Sequence, residues 1–419
     1  MMTNPHDAIL SRRSFLIRTG LIGCSVAASP LLTPISFAAA PGENRLVVII
    51  LRGAMDGLDV VQPYGDPAMA ALRPTLLAGE AAGSSDLDGF FALHPAMAGL
   101  MPLWQAGELG FAHAVSTPYR DKRSHFDGQD LLEAGTPGLG QARDGWLNRL
   151  VQHLPDATAQ TAYALGHEDM LLLRGAAQVS NWTPDAGLRL SPQAERLAGL
   201  VMHDDPLFNA ALQEALVLSA AGDAPQMMAP SETMSGMAAP AMADGARQTA
   251  SGHLRLATFA ADQLRGRSRI AAFSLGGWDT HQAQAAGLTR ALGRLSETVL
   301  ALRDGLGPVW QQTAVLAVTE FGRTARENGT KGTDHGTAGA MLMAGGAIRG
   351  GQVLGGAAQN AWPGLGQGDL YQGRDLMPTR DVRAHAAWAM RGLFGIETAV
   401  LEQAVFPGLE MGPDPALLR

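Results

Sequence analysis

Six carboxylate and imidazole side chains in this 419-residue chain stand in sequence contexts suited to holding a cation: Asp56, Asp279, His281, Glu320, Asp334 and His335. Three of the acids come just after apolar runs that read as strands. Asp56 lies in Arg52-Gly53-Ala54-Met55-Asp56-Gly57, Asp279 in Gly276-Gly277-Trp278-Asp279-Thr280-His281, and Glu320 in Thr319-Glu320-Phe321-Gly322-Arg323-Thr324. Open α/β sheets collect ligands outside the carboxyl ends of their strands. His281 is two residues past Asp279, so extended backbone turns both side chains to one side. Asp334 and His335 sit in a glycine-flanked turn, Gly332-Thr333-Asp334-His335-Gly336-Thr337, before another apolar run. Gathered at one sheet edge, these groups suit one or two divalent ions: zinc, manganese or magnesium. Two ions a few Å apart clamp the attacking and leaving oxygens of phosphoryl or sulfuryl transfer. Each residue also has a structural reading. Asp56 before Gly57 makes a turn, Glu320 caps a helix or pairs with Arg323, and Asp334 is a turn residue.

The elements that must position these groups read as follows. Residues 46–51, LVVIIL, form a continuous apolar run of the kind found in a fully buried, central parallel strand. Further strands are expected at 109–115, 269–275, 313–319 and 340–344, with helices clearest at 282–302 and 381–394. Strands alternating with helices predict an α/β fold, a mostly parallel sheet sandwiched by helices. Residues 219–250 break this pattern. They are rich in Ala, Pro and Met, with Met227, Met228, Met234, Met237 and Met242. Thioethers there would suit copper(I), but no His or Cys interrupts the run, and a flexible surface insertion is the preferred reading.

The N-terminus carries an address. Ser11-Arg12-Arg13-Ser14-Phe15-Leu16 matches the twin-arginine export signal, an apolar small-residue segment follows, and Ala38-Ala39-Ala40 gives a cleavage site. Residues 1–40 are therefore read as a signal removed after export by the twin-arginine translocase, and 41–419 as a single α/β domain in the periplasm or beyond. That route carries folded proteins, often with a metal already inserted. The apolar segment is too short and too rich in Gly, Ser and Pro to form a stable membrane span. The sole cysteine, Cys24, falls within the signal, so the exported chain has neither disulfide nor thiol chemistry. The net charge of −8 argues against a nucleic-acid partner. Zincin, Walker, nucleophile-elbow and dinucleotide motifs are absent from the sequence.

The ordered motifs R-G-A-M-D-G-L-D, R-S-H-F-D-G-Q-D, G-G-W-D-T-H, T-E-F-G-R-T, G-T-D-H-G and W-P-G-L, spread over about residues 44–407, resemble those of a large exported bacterial family, the domain of unknown function 1501 family. That family is distantly related to the alkaline phosphatase and sulfatase superfamily. The resemblance implies an alkaline-phosphatase-like fold and a metal-dependent hydrolase of phosphate or sulfate esters, or a non-catalytic protein of the same fold with a structural or binding role. It maps the acid after the first strand onto Asp56 and the nucleophile at a helix start onto Ser124. The acid with a nearby imidazole falls on Asp279 and His281, at a closer spacing than the superfamily's. Its Asp-His dipeptide falls on Glu320-Phe321, where the imidazole is missing, and its late histidine on His335, with Asp334 as an extra ligand or an orienting carboxylate. Ser124 follows Arg120, Lys122 and Arg123; attacking group and helix N-cap both remain open for it. Arg323, through a bidentate fork, and His125 are the expected contacts to a small anionic substrate.

Overall fold

Residues 46–51 have no polar side chain on either pleat face, and the strand they form can only be stable with cover on both sides. In a computed structural model, which describes residues 42–120, 122–166, 170–182, 242–356 and 361–419, this segment is the middle of strand β1 (Arg45–Arg52). All six residues are fully buried. The main sheet also contains β2 (Leu109–Ser116), β3 (Ala162–Leu165), β4 (Ser180–Trp182), β5 (Ile270–Gly276), β6 (Thr313–Val318), β7 (Gly339–Ala344), β8 (Val353–Leu354) and β9 (Arg380–Asp381). Their spatial order is β8-β2-β7-β6-β1-β5-β3-β4, with β9 also paired to β2. β1 is central and runs parallel to both neighbours, β5 and β6.

One strand runs against the others. β7 is antiparallel to β2 and to β6. β6 and β7 are adjacent and joined without a crossover helix, so residues 319–338 leave and re-enter the sheet at the same edge. That edge also holds the carboxyl ends of β1, β2 and β5.

Helix α1 (His125–Ala134) begins beyond β2, with Ser124 as its N-cap and Gly135 in the left-handed conformation closing it. α2 (Trp146–Gln152) and the late helix α5 (Val382–Phe394) cover one face of the sheet, packing Trp146, Leu150, Ala386 and Met390 into a core with Leu46, Val48 and Ile50. Asp381 caps α5 through the Arg383 amide at 2.9 Å. The alternate residues Val47, Ile49 and Leu51 point the other way. α3 (Met242–Arg265) and α4 (Gln284–Leu306) pack together, and both touch β5.

All described residues belong to one compact unit. The expected signal, residues 1–40, and most of the expected insertion lie outside the described residues. The insertion reading needs one correction: residues 242–250 are the first turns of α3, so helical backbone begins inside the span that composition assigned to a loop. Among the described residues, no helix is long and apolar enough to cross a membrane.

Candidate metal centre

The strand-end loops approach one another closely enough to need glycine. Gly53, just past β1, has φ +119°, and a Cβ on it would stand 2.6 Å from the Asp279 amide nitrogen. A Cβ on Gly332 would overlap the backbone of His281. The β1 and β5 exits and the 319–338 loop therefore pack backbone to backbone, which draws their side chains into a single cluster.

Three histidines form the cluster, each held through Nδ1. His125, the first residue of α1, has Nδ1 2.8 Å from Glu320 Oε1. His281 has Nδ1 3.1 Å from Asp334 Oδ1. His335 has Nδ1 2.8 Å from the Arg123 carbonyl. A carbonyl or an ionised carboxylate only accepts, so each Nδ1 carries a proton and each ring turns its Nε2 inward. These nitrogens converge on Asp279. His281 Nε2 is 3.1 Å and His335 Nε2 3.6 Å from Asp279 Oδ1, and His125 Nε2 is 3.5 Å from Oδ2. His125, Asp279 and His335 each present one ligand atom within 4.8 Å of the others. His125 Nε2 is buried with no hydrogen-bond partner, the signature of a lone pair kept for a ligand. His125, His335 and Asp279 offer donors that suit a divalent ion, with His281 beside Asp279 and His335, and each imidazole is oriented from behind.

The surrounding groups shift the members of the cluster in different directions. Burial pushes the Glu320 carboxyl up, but hydrogen bonds from His125, the Gly53 amide at 2.9 Å and Gln129 at 3.2 Å outweigh it and keep the group below its usual range. Burial also acts on Asp279, and the Arg323 guanidinium at 2.7 Å overrides it downward. Asn328 lowers Asp334 by donating to its Oδ1 at 3.0 Å. Burial lowers His335, while its bond to Glu320 raises His125.

The structure thus brings Asp279, His281, His335 and His125 together at one point, with Glu320 and Asp334 one bond behind. Four expectations change. Asp56 does not join the cluster: Arg73 grips both its oxygens, Nη1 to Oδ2 at 2.7 Å and Nη2 to Oδ1 at 3.0 Å, and both side chains are buried. Glu320 faces the His125 Nδ1 rather than the convergence point, whereas Asp334, beside the His281 Nδ1, takes the orienting position that was one of its two expected roles. Arg323 does not face solvent. Its guanidinium is fully buried and donates to the Gly53, Ala54, Trp278 and Thr333 carbonyls as well as to Asp279. His125, expected to touch substrate, lies inside the cluster, its Nε2 3.5 Å from Asp279 Oδ2. Ser124 is the N-cap of α1, but its Oγ lies 3.4 Å from the Asp127 amide, long for a cap bond.

Sequence reading missed Arg73, Gln129, Gln284 and Asn328. The R-S-H-F-D-G-Q-D run contains both His125 and Gln129, so their one-turn spacing on α1 was the available signal. Arg73 gave none, since nothing in its neighbourhood marks a buried partner for Asp56.

A family model described as "Protein of unknown function (DUF1501)" matches residues 103–385. No curated protein matches the chain. Among solved structures, a lipoteichoic acid synthase from Listeria monocytogenes is similar with 10% identity and a TM-score of 0.37, over 92% of this chain and 79% of that one. A protein in the alkaline phosphatase superfamily from Vibrio parahaemolyticus is similar with 11% identity and a TM-score of 0.33, over 76% of this chain. The match spans 64% of the Vibrio protein, just under two thirds of its length. The C-terminal periplasmic domain of EcEptC from Escherichia coli gives 10% identity and a TM-score of 0.33, over 75% and 76% of the two chains.

Proposed function

Since the chain belongs to the DUF1501 family, whose function is unknown, the activity has to be read from the site, and we propose that it is a metal-dependent hydrolase of phosphate or sulfate esters. The observation that carries this reading is the convergence of three Nδ1-anchored imidazoles on Asp279 at the carboxyl edge of the sheet. Asp279 and His281 keep 48% and 43% of their side-chain surface exposed. A closed structural metal site has no such open face, whereas a catalytic one keeps a position for substrate or water. His125, His335 and Asp279, with His281 beside them, would hold a divalent cation, which would supply Lewis-acid polarisation of an ester oxygen.

The chain's own residues supply the rest. Ser124 adjoins His125 at the N-terminus of α1, where amide dipoles favour negative charge. Its hydroxyl, in long contact with the Asp127 amide and beside Tyr119, would be the attacking group. Arg123, held at φ +56°, turns the chain into this helix while its carbonyl fixes His335. The exposed Lys122 and Arg123 side chains favour a small anionic substrate in an otherwise acidic chain. Export by the twin-arginine translocase, supported by residues 11–16, would place this activity outside the cytoplasm; Arg12→Lys with Arg13→Lys should strand the protein uncleaved in the cytoplasm, and normal export of that variant would refute the address.

Zinc-loaded protein should hydrolyse p-nitrophenyl phosphate or p-nitrophenyl sulfate, and Ser124→Ala should lose turnover while keeping its metal. One observation favours a second, non-catalytic reading: Arg323 is consumed by backbone carbonyls and Asp279, which leaves its guanidinium committed to the fold rather than to an anion. Metal uptake without turnover of either ester would establish that alternative.

A further inference from the structure

Resting on the metal-centre reading, we infer that the site takes one divalent ion and not two, because the fold supplies the second positive charge itself, as the Arg73 guanidinium. Asp56 leaves the end of β1 as a candidate ligand, yet three of its roughly four lone-pair sites are taken. Arg73 takes both oxygens bidentately, and Gln284 Nε2 adds a third bond to Oδ2 at 2.6 Å. Asp59, the next acid, is no freer: Gln284 donates to its Oδ2 at 2.9 Å and Gln62 to its Oδ1 at 3.2 Å. A metal ion needs carboxylate lone pairs aimed at one point and ligands able to close to about 2.0–2.2 Å. Here the lone pairs are aimed at N–H donors.

Arg73 cannot step aside for an ion. Its side chain has no exposed surface, and its remaining donors bind the Ala325 carbonyl at 3.0 Å and the Thr324 carbonyl at 2.9 Å. An incoming dication would meet a fixed positive charge in a low-dielectric interior, where like charges are not screened.

The guanidinium occupies a position that matters to the bound ion, because its network supports the loops that carry the ligands. Gln284 Oε1 accepts from Thr280 Oγ1 at 3.0 Å and Thr333 Oγ1 at 2.6 Å. Thr280 lies between Asp279 and His281, and Thr333 precedes Asp334. With two donor hydrogens and two acceptor positions filled, Gln284 is saturated. Arg73 and Gln284 therefore brace from below the same loops that a second ion would otherwise tie together.

The test is a metal count. Chelator-stripped full-length protein is reloaded with Zn²⁺ alone, desalted, and analysed for metal per chain. One ion in the wild type and one in Asp56→Asn is the expected result. Two ions in the wild type would overturn the inference while leaving the metal-centre reading intact; none would sink that reading itself. Arg73→Met should gain a second, weaker zinc that Arg73→Met/Asp56→Asn loses again. If Arg73→Met fails to fold, the wild-type count still decides.

Discussion

The Nε2 atoms of His281 and His335 stand 2.8 Å apart although each ring already donates its Nδ1 proton elsewhere. Two bare lone pairs at that distance repel, so the pair is stable only with positive charge between the rings: a proton or a cation. Ligand atoms bound tetrahedrally at 2.0–2.1 Å stand about 3.3 Å apart, so a few tenths of an ångström of separation would convert this contact into coordination.

Metal should therefore stabilise the folded chain, which alone assembles the ligands. At a free Zn²⁺ concentration of about 100 times the dissociation constant, linkage gives about 2.7 kcal/mol, a rise in Tm of a few degrees for a chain of this size. Differential scanning calorimetry of chelator-treated protein, with and without Zn²⁺, reads the shift. Asp279→Ala should remove most of it, and a variant that keeps the full shift would place the ion elsewhere.

Ion choice follows from the donor atoms. Three imidazoles and one carboxylate suit zinc, with manganese weaker, whereas magnesium prefers oxygen ligands and retained water. The same calorimetry should show no shift with millimolar Mg²⁺. A Mg²⁺ response equal to that of Zn²⁺ would contradict the three-imidazole centre.

Glu320 acts through His125. Glu320→Gln keeps the shape but turns an acceptor-only carboxylate into an amide that can present a donor to Nδ1, which weakens control of the tautomer. Loss of such an outer partner typically costs 10–100-fold in metal affinity. Competition against a chromogenic zinc chelator measures this, and an unchanged affinity would show that His125 is not a ligand.

Much of the scaffold was legible because it depends on local pattern. Six consecutive apolar residues at 46–51 have only one stable environment, and the strand-end rule then placed Asp279 and Glu320 at one edge. The direction of β7 was not legible, since a buried apolar run reads the same both ways; yet that antiparallel turn is what returns His335 to the edge. The roles of Asp56 and Arg323 were hidden for a tertiary reason. An acid or a guanidinium looks identical in sequence whether it meets a metal, a substrate or a buried partner, and Arg73 meets Asp56 only after folding. His125 was visible in its motif, but its role depends on Glu320, 195 residues away.

Arg323 should behave as structure rather than as a substrate contact. Without Arg323 the Gly53, Ala54, Trp278 and Thr333 carbonyls lose its donors, and an unsatisfied buried acceptor costs about 1–3 kcal/mol. Arg323→Met should therefore lower the urea midpoint strongly and loosen Asp279. A stable variant with intact metal affinity but a raised KM for an anionic ester would restore the anion-reading role.

Acid should destabilise the protein through two histidines remote from the metal centre. Burial lowers His113 to about 4, well below the usual imidazole range. Its ring stacks on Phe91, accepts the Ala114 amide at 2.9 Å, and has Nε2 3.0 Å from the Val61 carbonyl. Both nitrogens are thus satisfied in the neutral form, and burial outweighs the nearby backbone carbonyls that would favour a second proton. Burial lowers His385, on α5, to about 3, with nearby Arg380 adding to the effect. Both pKa values are depressed in the fold, so the unfolded chain binds more protons between pH 6.5 and these values, and stability falls as pH drops through that window. Above pH 6.5 both states are neutral at these sites, and the contribution is fully present. At about 1.4 kcal/mol per pH unit per group, His113 alone accounts for a loss on the order of 3 kcal/mol by pH 4. Urea unfolding of the metal-free protein at pH 7.5, 5.5 and 4.5 measures the slope. His113→Gln should be less stable at pH 7.5 but lose less on acidification, and an unchanged slope in that variant would show that His113 is not the group that titrates.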